Sequence, residues 1–406
     1  MSIFAGKRII LGITGSIAAY KGADLASKLT QAGAQVETVF SPGAEQFITP
    51  LTFQSVTGRK AFTDAELWGG EAHVLHVGLG HAADLLIIAP CTANTLAKMA
   101  HGQADNLLTV TALAAECPIL IAPAMDGGMF AHPATQENVR ILTGRGVTFV
   151  GPAPGHLASG LVGVGRMSEP LEILGMARLT LGRKLGRLRG KRLVVTAGGS
   201  QEPIDPVRVI TNRSSGRQGY ALAEAALEMG AEVTLVSHPT GLTPPVGAEV
   251  IHVETVQEML DAVTAAIKDA DGLVMAAAVA DFRLKKVAED KIKKQDGIPQ
   301  IELEAAPDVL AAVARLRGDT PRLKVVVGFA AESRDLLQNA QSKLMSKKLD
   351  LIAANDISAD DAGFAVETNR ITLLYPDGRR EELPLLSKSE AAGHILTRVA
   401  EILELF

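Results

Sequence analysis

Short apolar runs alternate with longer amphipathic stretches along the whole chain. In the first half the runs predict strands at Arg8–Ile13, Gln35–Phe40, Asp84–Ala89, Pro118–Ala122 and Thr148–Val150, with helices such as Ala18–Gln31 and Thr92–Met99 between them. In the second half they predict strands at Leu193–Ala197, Glu232–Ser237, Glu249–His252, Gly272–Ala278, Lys324–Phe329, Leu351–Ala354 and Ile371–Leu374. Strands separated by helix-length segments indicate right-handed βαβ units and parallel sheets.

The composition changes between the two halves. From Arg178 to Arg192 the chain is basic and interrupted by glycines, and the apolar pattern restarts at Leu193. We interpret the basic stretch as a solvated helix end and a linker rather than a nucleic-acid patch. A boundary near Gly190 gives domains of residues 1–189 and 190–406. The expected fold class is α/β, with two Rossmann-like parallel-sheet domains; the lysine-rich segment Ala280–Ile301 is expected to be a loop or hairpin.

Bulk composition narrows the functional classes. A chain of 406 residues is too long for one ordinary core, and 47% hydrophobic with 4% aromatic residues suits parallel sheets covered by helices. A net charge of −5 gives no indication of nucleic-acid binding. Two cysteines fit a reducing compartment, and the sequence shows neither a signal peptide nor a membrane-spanning apolar run. We therefore expect a cytoplasmic protein that binds neither nucleic acids nor membranes.

A glycine-containing turn follows the first predicted strand. Between Gly12 and Ala18 the pattern is strand, tight turn and helix start, which suits phosphate at a helix N-terminus, and Ser16 can add a hydroxyl donor. The dinucleotide fingerprint G-x-G-x-x-G is absent, and Ser41-Pro42 stand where a ribose-binding acidic residue would be expected. A mononucleotide such as FMN fits better than a nicotinamide cofactor, with Ser41 as a second phosphate donor. A tight turn without a ligand is the other interpretation.

Several later motifs carry a specific resemblance. Ala89–Thr95, Pro123–Phe130 and Leu157–Met167 are similar to the P-A-S/T-A-N-T motif, the P-x-M-N-x-x-M-W motif and the substrate-covering flap of flavin-containing cysteine decarboxylases. Val194–Arg208 and Ile210–Gly219 are similar to the T-A-G-G-T-x-E-P-I-D-P-V-R and I-T-N-x-S-S-G motifs of phosphopantothenate–cysteine ligases. Over nearly its whole length the chain resembles the bifunctional coenzyme A biosynthesis family, in which phosphopantothenoylcysteine decarboxylase is fused to that ligase. The resemblance implies a flavodoxin-like first domain.

For the first domain the resemblance implies an FMN site and a decarboxylase. The implied chemistry oxidises the cysteine part of the substrate, releases CO₂ to leave an enethiolate and returns the electrons to give 4′-phosphopantetheine. His76 would transfer protons. The implied FMN contacts are Gly15, Ser16, Ile17, Ser41, Cys91, Thr92 and Asn94, and the implied substrate contacts are Met125, Asp126 and Arg166.

A metal site is an alternative use of the nearby histidines. His73 and His76 would share a helix face, and His81 follows closely. No carboxylate or thiolate completes a tetrahedral set, so a surface position is the simpler interpretation of His73 and His81.

Two positions depart from the decarboxylase motifs. Asp126 replaces an asparagine, and an ionised carboxylate would repel the substrate carboxylate unless it is protonated, re-aimed or bridged by water or a cation. Ser159 occupies the catalytic flap position often filled by cysteine, the usual proton donor to the enethiolate. A hydroxyl is a far weaker acid than a thiol, so water or another group is expected to supply that proton.

For the second domain the resemblance implies a CTP-dependent ligase. The carboxylate of 4′-phosphopantothenate would attack the α-phosphate of CTP to give an acyl-cytidylate, which cysteine then converts to the amide. Asn212 would hold the acyl-cytidylate and Lys291 would act on the nucleotide or in the second half-reaction. Because two anions meet, cations and Mg²⁺ are expected to dominate catalysis. The implied CTP contacts are Ala276, Ala277, Asp281, Lys291, Pro307, Asp308, Val309, Leu310, Phe329, Lys343 and Lys347.

Simpler interpretations exist for two of these residues. Without the resemblance, the run around Lys291 would be interpreted as a solvated hairpin, and Phe329 as a core residue at a strand end. Lys343 and Lys347 lie four apart on a predicted helix, so both could face one phosphate.

Two other functions compete with this hypothesis. One is a nicotinamide-dependent oxidoreductase, which the missing fingerprint disfavours. The other is a non-catalytic regulatory flavoprotein, which Asp126 and Ser159 favour and the presence of His76, Asn212 and Lys291 disfavours. The resemblance also implies a homo-oligomer, with trimers of the decarboxylase domain and dimers of the ligase domain.

Overall fold

Parallel strands form the centre of two units in this computed structural model, which describes residues 2–67, 74–293, 299–332, 335–356 and 368–405. The units comprise Met1–Leu181 and Gly182–Phe406. In the described part of the chain, no helix combines the length and the apolar character needed to cross a bilayer.

The first unit is an α/β sandwich around six parallel strands in the order β3-β2-β1-β4-β5-β6. Without the two-residue edge strand β3, this order is that of flavodoxin-like folds. The strands are β1 (Arg8–Ile13), β2 (Gln35–Phe40), β3 (Ala61–Phe62), β4 (Leu85–Cys91), β5 (Ile119–Pro123) and β6 (Thr148–Phe149), and a separate hairpin consists of β7 (Ala153–His156) and β8 (Val162–Arg166). The helices are α1 (Ala19–Gln31), α2 (Pro50–Thr57), α3 (Leu75–Ala82), α4 (Ala93–His101), α5 (Leu107–Ala114), α6 (Gly127–Ala131), α7 (Pro133–Gly144) and α8 (Pro170–Leu185).

Side-chain alternation along β1 explains how this sheet is held. Ile9, Leu11 and Ile13 belong to one hydrophobic cluster, and Ile10 belongs to the cluster on the opposite face. All seven residues of β4 are buried, as expected for a strand covered by helices on both faces. The side chains of the core are thereby committed to packing, and the loops at the strand ends are left to carry chemistry.

The second unit contains an eight-stranded mixed sheet in the order β13-β12-β9-β14-β17-β18-β20-β21. All neighbours are parallel except β20, which is antiparallel to both β18 and β21. The strands of this unit are β9 (Arg192–Ala197), β10 (Gln201–Pro203), β11 (Val209–Thr211), β12 (Glu232–Ser237), β13 (Glu249–His252), β14 (Gly272–Met275), β15 (Phe282–Leu284), β16 (Leu303–Ala305), β17 (Val325–Glu332), β18 (Leu351–Asp356), β19 (Thr368–Asn369), β20 (Ile371–Leu374), β21 (Arg380–Glu382) and β22 (Leu386–Ser387). The helices are α9 (Arg217–Glu228), α10 (Val256–Ala266), α11 (Val309–Leu316), α12 (Leu336–Ser346) and α13 (Lys388–Leu403).

The predicted strand Gly272–Ala278 is too long. β14 ends at Met275 because Ala277 donates its N–H to the Thr196 hydroxyl instead of to a backbone carbonyl of β9, and only Ala278 returns to an isolated parallel bridge with Gly199. The strand ladder is therefore interrupted at Ala277, and the chain becomes the wall of a cavity.

The lysine-rich segment is the expected hairpin in outline. β15 and β16 pair antiparallel, with Phe282 opposite Ala305, and residues 294–298 between them lie outside the described part of the chain. The basic stretch after Arg178 begins in the last turns of α8, in agreement with the predicted solvated helix end.

Candidate active sites

Thr14 joins two loops at the carboxyl edge of the first sheet. Its fully buried hydroxyl donates to the carbonyl of Pro90 at 2.8 Å and accepts from the N–H of Thr92 at 3.0 Å. The loop after β1 is thus fixed against the loop after β4, its neighbour in the sheet. Thr14 was not among the predicted site residues, although a threonine inside the glycine turn was the available indication.

The loops after β1 and β2 also meet. A Cβ atom on Gly15 would lie 2.9 Å from the carbonyl oxygen of Gly43, so the contact requires glycine. Ser16 accepts the N–H of Ala18 at the start of α1, and Ser41 donates its N–H to Ile13. Two hydroxyl-bearing residues therefore lie on touching loops beside a helix N-terminus, an arrangement suited to a phosphate group. Ile17, the next residue of the turn, is exposed.

The predicted flavin contacts at the end of β4 and the start of α4 differ in their exposure. The Cys91 side chain is buried in the hydrophobic core, where burial raises the pKa of its thiol. The Cys91 carbonyl accepts the N–H of Ala124 at 2.9 Å, and the residue has no exposed surface. Thr92 caps α4 by accepting the N–H of Thr95, and Asn94 is exposed in the first turn of that helix.

The hairpin formed by β7 and β8, which we call the flap, packs on the segment that follows β5. Met125 donates its N–H to the carbonyl of Gly165 at 3.0 Å. A Cβ atom on Gly165 would overlap the carbonyl oxygen of Met125, so the two backbones are in direct contact. Asp126 is the N-cap of α6: its Oδ1 accepts the N–H of Gly128 at 2.9 Å.

The two departures from the decarboxylase motifs contact each other. Ser159, in the turn of the flap, donates its hydroxyl to Oδ2 of Asp126 at 2.6 Å. This hydrogen bond and the one from Gly128 lower the pKa of Asp126 below its usual range. The protonated form of Asp126, one of the expected possibilities, is therefore not the form that the fold favours. The carboxylate is instead re-aimed at protein donors.

Arg166, at the end of the flap, shares an acidic partner with a buried lysine. Glu169 accepts from the Arg166 guanidinium at 3.2 Å and from Lys21 Nζ at 2.7 Å. Two cations around one carboxylate leave a net positive charge at the base of the flap, which favours an anionic substrate group.

The histidines occupy different surroundings. His76 lies half-buried in α3, and that helix packs against α5. His81 forms an ion pair with Glu116 at 3.6 Å when it is protonated, and His73 lies outside the described residues. Among the residues that the structure describes, no group of three or more His, Cys, Asp or Glu side chains could hold a metal ion.

The second unit contains a cavity of about 320 Å³ at the carboxyl edge of its sheet. It lies at the N-terminus of α9, whose N-cap Gly216 has a left-handed backbone with a φ of 76°. A Cβ atom there would lie 2.7 Å from a methyl carbon of Thr240. Six predicted site residues line this cavity: Asn212, Ala276, Ala277, Asp281, Phe329 and Lys343.

Hydrogen bonds from small polar residues shape the cavity wall after β14. The side-chain amide of Asn212 donates to the carbonyls of Ala278 and Val279, both at 3.1 Å. The buried hydroxyl of Ser200 accepts the N–H of Ala280 at 2.8 Å. Ser200 stands where the ligase motif has threonine, and a serine hydroxyl is sufficient for this bond.

The two predicted helix lysines have different hydrogen-bond partners, although the charges of both act on Asp308. α12 ends at Ser346, and its C-cap Lys347 lies one turn after Lys343, to whose carbonyl the Lys347 N–H donates. Lys343 Nζ donates to the carbonyl of Phe329 at 2.8 Å and lines the cavity. Lys347 forms an ion pair with Asp308, and Asp308 also caps α11 by accepting the N–H of Ala311. The structure therefore brings Lys347 to Pro307–Leu310, a second cluster of predicted contacts.

Lys291 is exposed on the segment after β15. The next residue, Ile292, is anchored by the buried carboxylate of Asp205. Asp205 Oδ2 accepts from the N–H of Ile292 and from the Arg208 guanidinium, which in turn donates to the carbonyl of Ile292. Burial opposes ionisation of this carboxyl, but hydrogen bonds from Val207, Arg208 and Ile292 outweigh it and lower the pKa of Asp205 to about 2. The D-P-V-R part of the first ligase motif thus positions the lysine segment.

Seven polar residues of the cavity were not predicted as site residues: Ser214, Ser215 and Arg217, and a set of four formed by Gln218, Asn355, Asn369 and Lys388. Asn369 donates its amide to Gln218 at 2.7 Å, and Gln218 donates to the carbonyl of Lys388 at 3.3 Å. Asn355 completes the set, and all four line the cavity. Gln218 lies inside the Ile210–Gly219 motif, whereas Asn369 and Lys388 come from the end of the chain and had no local indication.

Family models match each unit. A model described as "Flavoprotein" matches residues 4–179, and one described as "DNA/pantothenate metabolism flavoprotein C-terminal domain" matches residues 188–403. The "Coenzyme A biosynthesis bifunctional protein CoaBC" of Bacillus subtilis (strain 168) is 42% identical over 398 residues, covering 98% of this chain and 97% of that protein. The chain belongs to the bifunctional coenzyme A biosynthesis family.

A second relative and one solved structure are also similar to this chain. The protein of the same name from Mycobacterium tuberculosis (strain ATCC 25618 / H37Rv) is 45% identical over 408 residues, covering 98% of this chain and 97% of that protein. A crystal structure of the C-terminal domain of a coenzyme A biosynthesis bifunctional protein is 40% identical and covers 54% of this chain and 100% of that chain, with a TM-score of 0.47.

Membership confirms the resemblance drawn from the motifs. The enzyme is a bifunctional decarboxylase and ligase of coenzyme A biosynthesis, and its first unit is a flavoprotein. The nicotinamide oxidoreductase and the non-catalytic flavoprotein are thereby set aside. The individual site residues stay predictions.

Replacing Thr14 by valine should destabilise the first unit. The substitution leaves the carbonyl of Pro90 and the N–H of Thr92 without their partner, which costs about 1–3 kcal/mol. Native-state hydrogen exchange of the β1 amides in the full-length protein measures this cost. Thr30→Val is the matched control, because the Thr30 hydroxyl only adds a second bond to a carbonyl within α1. Equal losses from the two variants would contradict the role given to Thr14.

Asp205→Asn should lower the melting temperature at pH 7 and have a smaller effect at pH 3. The folded-state pKa is lowered, so the contribution of the carboxylate is present above the ordinary aspartate range and is lost as the pH falls toward about 2. The difference between wild type and variant should therefore shrink on acidification. Asp377→Asn, in an exposed turn, is the control. A difference that stays constant between pH 7 and pH 3 would exclude an ionised Asp205 as its source.

Proposed function

We propose that residues 1–189 decarboxylate 4′-phosphopantothenoylcysteine with FMN, and that residues 190–406 join 4′-phosphopantothenate to cysteine with CTP. The observation that carries the ligase assignment is the cavity at the N-terminus of α9, in which six of the predicted residues meet. The touching loops around Gly15, Ser16 and Ser41 support the FMN assignment. The two reactions follow each other, because the ligase product is the decarboxylase substrate.

The residues of the first unit fit a bound flavin mononucleotide. Its phosphate would lie at the start of α1, near Ser16 and Ser41, and its ring would lie beside Cys91, Thr92 and Asn94 at the start of α4. The close approach of Gly15 to Gly43 leaves no room for a side chain between these loops, as expected for backbone that closes around a phosphate. When bound, FMN supplies the two-electron oxidation that activates the cysteine moiety for loss of CO₂ and the matching reduction.

The protein residues would bind the substrate and move protons around it. His76 would accept and return the proton at the reacting cysteine moiety, since an imidazole titrates near neutral pH. Met125 and the flap would cover the substrate and exclude water. Arg166, which shares Glu169 with Lys21, would attract the substrate carboxylate or phosphate.

The ligase site must bring a carboxylate to a triphosphate. The N-terminus of α9 and Lys343 would offset the negative charge of the substrate carboxylate and the triphosphate in the cavity. Lys291 would approach from the exposed segment anchored by Asp205. Asn212 would hold the acyl-cytidylate beside the wall formed by Ala276 and Ala277. Displacement of CMP by the cysteine amine then forms the amide.

Mg²⁺ would enter this site with the nucleotide. The described residues hold no cluster of metal ligands, and Mg²⁺ in such enzymes is commonly bound through substrate phosphates and water. The triphosphate of CTP supplies those oxygens. We further propose a cytoplasmic homo-oligomer, with trimers of the decarboxylase domain and dimers of the ligase domain.

His76→Asn should stop loss of CO₂ but leave amide formation intact. The variant and wild type are incubated with 4′-phosphopantothenate, cysteine, CTP and Mg²⁺, and products are followed by mass. Wild type should release 4′-phosphopantetheine, whereas the variant should accumulate 4′-phosphopantothenoylcysteine, because proton transfer at the cysteine moiety is lost.

The control is His81→Asn, on the same helix and ion-paired with Glu116, which should behave like wild type. Loss of both reactions in His76→Asn, or normal CO₂ release, would contradict the proposed division of labour. Replacing CTP by ATP in the same assay tests the choice of nucleotide.

A further inference from the structure

A side-chain hydrogen bond ties the turn of the flap to α6. Ser159 and Asp126 are separated by 33 residues, and their oxygen atoms lie 2.6 Å apart. The turn itself is closed by Leu157, whose N–H donates to Leu161 and whose carbonyl accepts from Gly160. Movement of this turn away from α6 therefore requires the Ser159–Asp126 bond to break.

The two strands of the flap are held differently. The base of β8 is fixed by backbone contacts, because Gly165 accepts from Met125 and has no space for a side chain. Farther along β8, Val164 lies next to Gly127. At the tip of the flap, Leu161 and Val162 are exposed. The Ser159–Asp126 bond is thus the polar tie at the end of the hairpin that lacks core packing.

The chemistry of the pair is complementary. Both oxygens of the Asp126 carboxylate have protein donors, Gly128 on Oδ1 and Ser159 on Oδ2. These bonds lower the pKa of Asp126, so the carboxylate is ionised and the bond is charge-assisted. A thiol at position 159 would be a weak donor to this carboxylate, and an amide at position 126 would be a weaker acceptor for this hydroxyl. Ser159 therefore donates more favourably to Asp126 than to the asparagine of the motif. Asp126 likewise accepts more favourably from Ser159 than from the cysteine of the motif.

We propose that Asp126 and Ser159 act as one positioning unit, a latch that holds the flap closed on α6 during decarboxylation. The proposal rests on the decarboxylase function proposed above. It assigns Ser159 a positioning role, because its proton is committed to Asp126. It also explains why an anionic residue is tolerated beside an anionic substrate: the Asp126 carboxylate is turned toward protein donors.

The test is a double-mutant cycle in the full-length, flavin-loaded enzyme, with loading checked by absorbance. Asp126→Asn keeps an acceptor for the Gly128 N–H, and Ser159→Ala removes the hydroxyl. Each single variant should reduce kcat for CO₂ release from 4′-phosphopantothenoylcysteine about tenfold, as expected for one charge-assisted bond. The double variant should lose no more than either single variant, because both remove the same interaction. Ser55→Ala, which removes an exposed hydroxyl from α2, is the matched control and should retain wild-type activity.

Two further readouts separate a latch from a general loss of stability. Deuterium uptake of residues 157–161 should rise equally in both single variants and in the double variant, while uptake of β1 stays unchanged. Ser159→Cys should be impaired by itself, and Asp126→Asn with Ser159→Cys should recover most of the lost rate, because it restores the residue pair of the motif.

Independent losses that multiply to about a hundredfold in the double variant would overturn the latch, as would unchanged deuterium uptake in the flap. Failure of the proposed function looks different, since the wild-type enzyme would then release no CO₂ from this substrate. The deuterium-uptake comparison tests the latch in that case as well.

Discussion

Parallel pairing of strands is the constraint on which both sites depend. In each unit the central strands are buried on both faces and run in one direction, so the loops that follow them emerge at the same edge of the sheet. The core side chains are used for packing. Chemistry is therefore restricted to the residues just beyond the strand ends, which is where the motifs lie.

The two units use this constraint in the same way. In both sheets the strand order reverses beside the first strand, between β1 and β4 in one unit and between β9 and β14 in the other. A threonine at the end of that first strand bonds to the loop after its neighbour: Thr14 to Pro90 and Thr92, and Thr196 to Ala277. In each unit the threonine hydroxyl bonds to the segment at the end of the neighbouring strand, where this bond replaces one of the strand ladder. The crevice beside it is where a nucleotide is expected to bind.

Much of this architecture could be predicted from the sequence. The predicted bounds of β1, β2, β12, β13 and β20 equal the observed ones, since an apolar run bounded by polar or turn residues defines a buried strand. β14 was predicted too long because Ala276–Ala278 continue the apolar pattern although the strand ladder is interrupted at Ala277. Local periodicity does not reveal where a backbone donor finds a side-chain acceptor such as Thr196.

Contacts between distant segments were the part that could not be predicted. The motifs identified Asp126 and Ser159 separately, as two departures from a family pattern, but only the fold shows that they bond to each other. Lys343 and Lys347 looked equivalent by spacing, yet Lys343 donates to the carbonyl of Phe329 whereas Lys347 forms an ion pair with Asp308. Asn369 and Lys388 reach the cavity through the topology of the last strands and helix, which no short pattern encodes.

The central claim is that two nucleotide sites, each at the carboxyl edge of its own sheet, carry out consecutive steps. Incubation of the full-length enzyme with 4′-phosphopantothenate, [1-¹³C]cysteine, CTP and Mg²⁺ tests it most directly. The account predicts one ¹³CO₂ and one CMP for each 4′-phosphopantetheine formed, with no product when CTP is omitted. Formation of 4′-phosphopantetheine without CMP, or formation of CMP without any adduct of cysteine, would contradict it.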